Sequence, residues 1–363
     1  MNASRSEIEN ALPRLTVIVP CRNEEAFISG SLDSILQNDY PRDRLEIIVA
    51  DGLSTDSTWS IISRYAAHCP AILALRNEKK VTPAGLNLAV QRSSGEVICR
   101  VDARARIAPD YLRRCVTALQ KNAVENVGGA MRTLPPNSSV SAKSIAFCLS
   151  HPFGVGKSDF RIGTKAPVLT DTVFGGCYRK SIFSRIGMFN ERLARSQDIE
   201  FNQRVRRAGG KILLDPAIHC DYFPSAEFLA FAKHNYQDGM WSVLPFAFSD
   251  AMPVRLRHLV PLFTVTLAVL LCVSGVWWLF ARFAILLLTC CYLAAAVVFS
   301  GQLAFRVHNL RHFFVMPLVF AVRHVAYGVG SLCGAAKLLL GGSIPRILFR
   351  YLVINRTEHS HIV

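Results

Sequence analysis

Two long apolar runs in the last third of the sequence limit what this chain can fold into. They cover Leu259–Phe280 and Phe283–Phe305, and neither contains a charged residue. A helix of about 20 residues crosses the hydrocarbon core of a bilayer, so each run is long enough to span it. Buried helices of a large core are the alternative. We predict a transmembrane helical hairpin over residues 259–305, with its tight turn at Ala281 and Arg282.

Arginines flank this hairpin on both sides. Arg255 and Arg257 precede it, and Arg306 and Arg311 follow it. Loops rich in Lys and Arg stay on the cytoplasmic side of a membrane, so both ends of the hairpin are predicted to lie in the cytoplasm. Residues 246–258 then form a juxtamembrane link.

A third apolar stretch, Phe313–Leu340, contains Arg323 and His324. A charge at the middle of a membrane helix is costly, which favours an interfacial helix over a third crossing. Both interpretations stay open for residues 306–363, which end in a basic tail.

Charge and cysteine content exclude some classes of partner. The chain has 41 Lys and Arg against 26 Asp and Glu, a net charge of +15. Beside apolar runs this excess favours binding to lipid headgroups, so we expect no nucleic-acid partner.

The eleven cysteines form no C-x-x-C pair, which indicates a reducing compartment and no structural metal cluster. Residues 1–13 are polar and lack the layout of a secretory signal, so the first domain is predicted to stay in the cytoplasm.

Strands alternate with helices in the region between residues 14 and 245. Apolar β-branched runs predict strands, and apolar residues at helical spacing predict helices. This alternation is typical of an α/β fold with a mainly parallel sheet, whose ligands bind beyond the carboxyl ends of the strands. The predicted strands cover residues 15–20, 45–50, 72–76 and 97–101, and the predicted helices pass through Ile28 and Leu32 and cover 57–67, 83–92 and 197–208.

Two aspartates follow predicted strands of this region. Asp51 comes directly after the second strand, and Asp102 after the fourth. Nucleotide sites on parallel sheets use helix N-termini for the phosphates and a carboxylate for the base or the ribose. Taken singly, the segments Val19–Glu25 and Asp51–Asp56 are each better explained by an ordinary strand-to-helix turn.

Several segments taken together resemble the family 2 glycosyltransferases of the GT-A fold. The segments are Val19–Glu25, Asp51–Asp56 and Gly95–Asp102, and then His151–Gly156, Asp171–Gly176, Gly187–Glu191 and Gln197-Asp198 with Arg204. The later ones are similar to the subgroup that builds succinoglycan and related bacterial exopolysaccharides. The resemblance covers about residues 14–245 and implies a Rossmann-like cytoplasmic domain followed by C-terminal transmembrane helices.

The resemblance implies a nucleotide-sugar pocket after the first two strands. Pro20, Arg22 and Glu24 are expected to line it, and the Asp51 carboxylate is expected to accept a hydrogen bond from the uracil ring. A helix-capping role for Asp51 is the alternative.

The same resemblance implies a divalent cation, Mg²⁺ or Mn²⁺, held by an Asp-x-Asp motif beside the donor diphosphate. Here the motif is Asp102-Ala103-Arg104. Either Asp102 holds the cation with substrate oxygens and water, or Arg104 contacts the diphosphate itself. Both residues are therefore assigned to the nucleotide-sugar site, and metal dependence stays open.

Inverting transfer needs a base that removes the proton of the acceptor hydroxyl. Asp198 matches the catalytic base of the family, and the alternative is a carboxylate that only favours the helix dipole. Gln197 and Arg204 are implied contacts of the acceptor or the diphosphate. Trp241 matches part of a Gln-x-x-Arg-Trp-like element that clamps acceptor or diphosphate, or it is an interfacial anchor. The incomplete element favours addition of a single sugar.

These expectations combine into an inverting hexosyltransferase of the bacterial inner membrane, multi-pass, with a cytoplasmic catalytic domain. The expected donor is a UDP-hexose, and the expected acceptor is a polyprenyl-diphosphate-linked saccharide of exopolysaccharide biosynthesis. Membrane lipids and other polysaccharide-assembly proteins are the expected partners. Transfer to polyprenyl monophosphate stays open, as does a catalytically silent nucleotide-sugar-binding scaffold, which the incomplete motif at Asp102 favours.

Overall fold

The computed structural model describes residues 12–248 and 258–340. The predictions for most of the polar N-terminal tail, for most of the juxtamembrane link with its two arginines, and for the basic C-terminal tail fall outside the described residues.

The chain divides into two units. The first contains the chain up to Leu134 together with Ser158–Phe223, and the second contains Pro135–Lys157 and the chain from Pro224 onward. Two segments of the catalytic domain predicted over residues 14–245 therefore group with the C-terminal helices, and the bounds of that domain stay a prediction.

Strands and helices are numbered here in chain order. The strands are β1 (Leu15–Cys21), β2 (Leu45–Asp51), β3 (Ile72–Arg76), β4 (Val97–Arg100), β5 (Ala105–Ile107), β6 (Asn126–Thr133), β7 (Val168–Leu169), β8 (Cys177–Arg179) and β9 (Ile212–Tyr222). The helices are α1 (Ile28–Leu36), α2 (Thr58–His68), α3 (Thr82–Arg92), α4 (Tyr111–Lys121), α5 (Val140–Ser150), α6 (Pro152–Val155), α7 (Asp159–Ile162), α8 (Ser181–Ile186), α9 (Gln197–Arg207), α10 (Phe228–Val243), α11 (Val260–Ser274), α12 (Leu279–Arg306) and α13 (Arg311–Leu340). Short 3₁₀ helices cover Arg42–Arg44 and Leu244–Ala247.

The first unit is built on one sheet with the strand order β3-β2-β1-β4-β8-β6-β9-β5, and β7 pairs with β9. β1 is parallel to β2 and β4, and β2 is parallel to β3, as the helix-strand alternation predicts. The rest of the sheet is mixed, since β8 runs antiparallel to β4 and β6. An antiparallel strand such as β8 does not need the long crossover connection that parallel neighbours require. The predicted bounds of the first four strands differ from the observed ones by one residue at most.

The core of this unit packs β1 against α1. Val17 and Val19 of β1 are fully buried, and they pack in one cluster with Ile28, Leu32 and Ile35 of α1. Burial of each such side chain stabilises the fold by about 1.5–3 kcal/mol. The parallel register then brings the ends of β1 and β2 side by side at one edge of the sheet.

The second unit has its own apolar core. Ile145 of α5, Phe231 of α10 and Phe320 of α13 belong to one buried cluster. The apolar faces of α5 and α10 are covered by this cluster, which is why residues 135–157 and 224–245 join the C-terminal helices.

The middle of α13 is polar, and its groups are bonded within the second unit. Arg323 Nε donates to Gly154 O at 3.1 Å, and its Nη1 donates to Asn235 Oδ1. His324 Nε2 forms a hydrogen bond with Phe153 O at 2.8 Å. A charge that is bonded inside a helical bundle is tolerated at membrane depth. By length and composition α13 is long and apolar enough to cross a membrane, as is α12.

The turn between α11 and α12 differs from the predicted one. Ala281 and Arg282, predicted to form it, lie inside α12. The helix break comes earlier, after Ser274. Arg282 Nε donates to Gly275 O at 2.5 Å and Nη2 donates to Val276 O at 3.0 Å, so this side chain satisfies carbonyl groups that the end of α11 leaves without helical partners. α11 is consequently shorter than the predicted span.

Glycines allow α10 and α13 to approach closely. A Cβ atom on Gly239 of α10 would lie 1.9 Å from Tyr327 O, and one on Gly330 of α13 would lie 2.0 Å from Tyr236 O. Both distances are far below van der Waals contact, so only glycine fits at either position.

We expect the substitution Gly330→Ala to destabilise the protein by about 1–3 kcal/mol, because the new methyl group forces α10 and α13 apart. Gly301→Ala on α12 is the matched control, since a Cβ there meets nothing within 4 Å. The measurement is thermal unfolding of both variants in detergent. Equal unfolding temperatures for Gly330→Ala and the wild type would contradict the close approach.

Candidate active site

The loops that follow β1 and β2 are joined by reciprocal hydrogen bonds. Asn23 N donates to Ser54 Oγ at 2.8 Å, and Thr55 N donates to Asn23 Oδ1 at 2.8 Å. Glu24 N donates to Thr58 Oγ1, also at 2.8 Å. These bonds satisfy backbone amides of both loops and hold the two loops together at the carboxyl edge of the sheet.

Asp51 lies at the end of β2 with no exposed surface, and both of its carboxylate oxygens are bonded to the protein. Ser54 Oγ donates to Oδ1, and Ser54 N donates to Oδ2 at 3.1 Å. Arg76 Nη1 also donates to Oδ2 at 2.6 Å, and its guanidinium lies 3.8 Å from the centre of the Trp59 ring. The structure thus gives Asp51 a role in the turn to Ser54, whereas the helix-capping role is not seen at α2. The predicted uracil contact stays a prediction.

Pro20 and Arg22, also predicted to line the nucleotide pocket, lie at the same edge. Pro20 is half-buried near the end of β1 and is paired with Ala50 of β2. Arg22 is exposed, and a Cβ atom on Gly52 would lie 3.3 Å from its side chain. The absence of a side chain at Gly52 leaves room for the stem of Arg22 along this edge.

Glu24 and Arg104 form an ion pair in the site. Arg104 Nε lies 2.7 Å from Glu24 Oε2 and 2.9 Å from Oε1, and the guanidinium lies 5.0 Å from the centre of the Phe27 ring. Burial raises the pKa of Glu24 above its ordinary value, although Arg104 opposes this shift. Arg104 therefore favours the charged form of Glu24, whereas burial favours its neutral form.

Asp102 pairs with an arginine that sequence reasoning missed. Arg100 is buried in β4, and its Nε donates to Asp102 Oδ1 at 2.8 Å. Burial alone would lower the pKa of Arg100, but the carboxylates of Asp102 and Asp198 outweigh burial and raise it. Asp102 and Asp198 thus both act on one guanidinium. An arginine inside a buried strand, two residues before an aspartate, is the signal that could have identified it.

Asp198 lies in the first turn of α9, where its two oxygens have different surroundings. Oδ1 accepts a hydrogen bond from Ile199 N at 2.9 Å, as expected of a carboxylate at a helix N-terminus. Oδ2 accepts none from the described part of the chain. Asp198 is half-buried, so its side chain is partly accessible.

Gln197 precedes this aspartate and is buried. Its Oε1 has no hydrogen-bond partner among the described residues. A buried amide oxygen without a partner is costly, and a hydroxyl of a bound sugar could satisfy it. This placement agrees with the predicted acceptor contact of Gln197, which stays a prediction.

Arg204 is held by hydrogen bonds within the first unit. Its Nε and Nη2 donate to the Glu200 carboxylate, and its Nη1 donates to Ile186 O at 2.6 Å and to Gly187 O at 3.3 Å. Nη2 also donates to Met188 O at 2.8 Å. All five N–H groups of the guanidinium are thus bonded within the protein, and the predicted contact of Arg204 with acceptor or diphosphate stays a prediction. Trp241 belongs to α10 in the second unit, and its predicted contact is untested.

The donor set for a divalent cation is small. The described residues contain no group of three or more His, Cys, Asp or Glu side chains placed to hold a metal. Asp102 Oδ1 is bonded to Arg100, and Arg104 occupies the position of the second acid of the Asp-x-Asp motif. Mg²⁺ is often bound by one or two carboxylates together with substrate phosphates and water. Asp102 fits that arrangement, in which the diphosphate of the substrate supplies further oxygen ligands.

Comparison with known proteins agrees with this architecture. Residues 16–187 match the family model described as Glycosyl transferase family 2. The chain is 27% identical over 248 residues to the Succinoglycan biosynthesis protein ExoA of Rhizobium meliloti (strain 1021), covering 68% of this chain and 74% of that protein.

A second relative is archaeal. The chain is 26% identical over 233 residues to the dolichyl N-acetyl-α-D-glucosaminyl phosphate 3-β-D-2,3-diacetamido-2,3-dideoxy-β-D-glucuronosyltransferase of Methanococcus voltae, covering 62% of this chain and 71% of that protein.

A solved structure shares the fold. The mannosyltransferase PcManGT of Pyrobaculum calidifontis, determined in complex with GDP-Man and Mn²⁺, aligns with a TM-score of 0.60 and 24% identity over 89% of this chain and 88% of that one. The chain therefore carries a glycosyl transferase family 2 domain of the GT-A fold, and it is a glycosyltransferase.

Proposed function

We propose that this glycosyltransferase moves a single hexose, with inversion, from a UDP-sugar to a lipid-linked saccharide in exopolysaccharide biosynthesis. The observation that carries the proposal is Asp198, whose Oδ1 is fixed by the helix α9 amide of Ile199 while Oδ2 accepts no bond from the described residues. This is the arrangement a general base requires, since the oxygen that takes the proton must be oriented and accessible.

In the proposed reaction Asp198 removes the proton of an acceptor hydroxyl. The hydroxyl oxygen then attacks the anomeric carbon from the side opposite the leaving nucleoside diphosphate, which inverts the configuration. Arg104 lies beside the half-buried Glu24, and in this proposal it binds an oxygen of the diphosphate. A guanidinium pairs well with phosphate because its N–H groups match the phosphate oxygens in geometry and charge.

A divalent cation is proposed as a cofactor, with Asp102 as the residue that would hold it. It would neutralise negative charge on the leaving diphosphate. The PcManGT structure, which contains Mn²⁺, supports this choice.

The lipid-linked acceptor is supported by the names of the two relatives. One acts in succinoglycan biosynthesis, and the other transfers a sugar to a dolichyl phosphate-linked N-acetylglucosamine. Polyprenyl-diphosphate-linked saccharide is our first choice of acceptor. The archaeal relative also favours a phosphate linkage with one phosphorus atom, which makes transfer at the monophosphate level the second candidate. Mild acid hydrolysis of the labelled lipid separates the two linkages.

The membrane location proposed is the bacterial inner membrane, with α12 and α13 crossing it and the first unit in the cytoplasm. Both helices pass the length and composition requirements for a span. Large apolar side chains such as Leu287 and Phe280 of α12 are 66% and 82% exposed, which suits contact with lipid tails. We also propose that other proteins of a polysaccharide assembly are partners of this chain.

We expect Asp198→Asn to lower transfer at least about 100-fold, because the amide cannot accept the hydroxyl proton. Radiolabelled sugar appearing in a bacterial lipid extract is the measurement, across UDP-, GDP- and dTDP-sugars. Asp43→Asn is the control, since the Asp43 side chain is 81% exposed. Full activity of Asp198→Asn would overturn the assignment of the base, and a wild type that binds nucleotide sugar without any transfer would favour the scaffold.

We expect EDTA to abolish transfer and Mn²⁺ or Mg²⁺ to restore it, because the diphosphate and Asp102 together form the proposed cation site. Asp102→Asn should require more Mn²⁺ for half-maximal activity than the wild type. Unchanged transfer in EDTA would contradict the cation. It would mean that arginine side chains alone neutralise the diphosphate.

A further inference from the structure

Three aromatic side chains of the first unit form a continuous contact. The rings of Phe160 and Phe174 have centroids 6.4 Å apart, and those of Phe174 and Tyr222 are 5.6 Å apart in an edge-to-face arrangement. All three pack against the buried core and are only partly covered. The group thus connects α7, which carries Phe160, to the last residue of β9.

The Tyr222 end of this group lies beside the segment that carries Asp102 and Arg104. Tyr222 is the partner of Ala105 in the antiparallel pairing of β5 with β9. The next residue, Phe223, donates its N–H to Arg104 O at 3.1 Å. The aromatic group therefore adjoins the nucleotide-sugar site.

Arg161 stands at the other end of the group. Its guanidinium lies 5.4 Å from the centre of the Phe160 ring, and the residue is half-buried on α7. The pKa of Tyr222 is raised, chiefly by burial, while Arg161 and Arg104 act to lower it and Asp102 and Glu24 act to raise it. One phenol hydroxyl thus lies within electrostatic range of both arginines and both carboxylates.

The charges already paired in the site do not by themselves compensate a diphosphate. Glu24 with Arg104 and Asp102 with Arg100 are two ion pairs, which together carry no net charge. Compensation must therefore come from outside these pairs, and a leaving nucleoside diphosphate carries more negative charge than the proposed divalent cation offsets, so a further guanidinium would stabilise it in a partly buried site. Arg161 is a guanidinium in range of the same hydroxyl, and it comes from a segment that sequence reasoning did not assign to the site.

We propose that Arg161 binds the diphosphate of the nucleotide-sugar donor together with Arg104, and that the Phe160–Phe174–Tyr222 group holds Arg161 in place for this. The inference rests on the proposed function, because it requires a nucleoside diphosphate in the site. A cation that meets only the phosphates contributes to binding of a nucleoside diphosphate and contributes nothing to binding of the nucleoside.

The test compares equilibrium binding of UDP and of uridine to the purified full chain in detergent. We expect Arg161→Gln to weaken UDP binding about tenfold, which corresponds to about 1.4 kcal/mol, and to leave uridine binding unchanged. Uridine binding also reports that the variant is folded. Arg161→Lys keeps the charge and should recover part of the loss. The control is Arg132→Gln, because Arg132 is an exposed arginine whose Nε donates to Asp221 at 2.7 Å.

The outcomes separate this inference from the function on which it rests. If the wild type binds UDP more tightly than uridine and Arg161→Gln keeps that difference in full, the role of Arg161 is wrong while the proposed function stands. If the wild type binds none of UDP, GDP and dTDP, the proposed function fails, and the inference fails with it. Equal losses of UDP affinity in Arg161→Gln and Arg132→Gln would also overturn it, because a general effect of net charge would explain both.

Discussion

Parallel pairing of β1 with both β2 and β4 is the constraint on which the site in the first unit depends. It brings the carboxyl ends of three strands to one edge of the sheet, because parallel neighbours in register end together. Asp51 is level with Cys21 in this register, and the turn after β4 carries Asp102 and Arg104. The buried faces of β1 and α1 hold this edge in place, and the residues that meet there come from segments far apart in sequence.

At this edge three carboxylates each form an ion pair with an arginine, whereas Asp198 has a different hydrogen-bond partner. Asp51 is bonded to Arg76, Asp102 to Arg100, and Glu24 to Arg104. In each pair the guanidinium offsets part of the cost of removing a carboxylate from water. Asp198 instead has one oxygen on a helix amide and the other without a protein donor among the described residues. That contrast distinguishes a candidate base from carboxylates that organise the site.

In the second unit, polar groups inside an apolar helix are likewise bonded to other parts of the protein. Arg323 and His324 interrupt an otherwise apolar helix, yet carbonyl oxygens of the short helix α6 accept their hydrogen bonds. Close packing through Gly239 and Gly330 then keeps α10 and α13 in contact. A helix with a central charge is therefore compatible with a span, because the bundle supplies what lipid cannot.

Sequence alone determined what depends on local periodicity and on covalent neighbours. It placed β1 to β4 within one residue, put Asp102 after a buried strand and Asp198 in the first turn of a helix, and its motifs indicated the family and the GT-A fold. Tertiary structure decided the rest. It showed Asp51 bonded to Arg76, Arg204 bonded to backbone carbonyls, and the helix break after Ser274, where Arg282 donates to Gly275 O. Hydrogen-bond partners of long side chains lie on other segments, and only the packed fold brings those segments within reach.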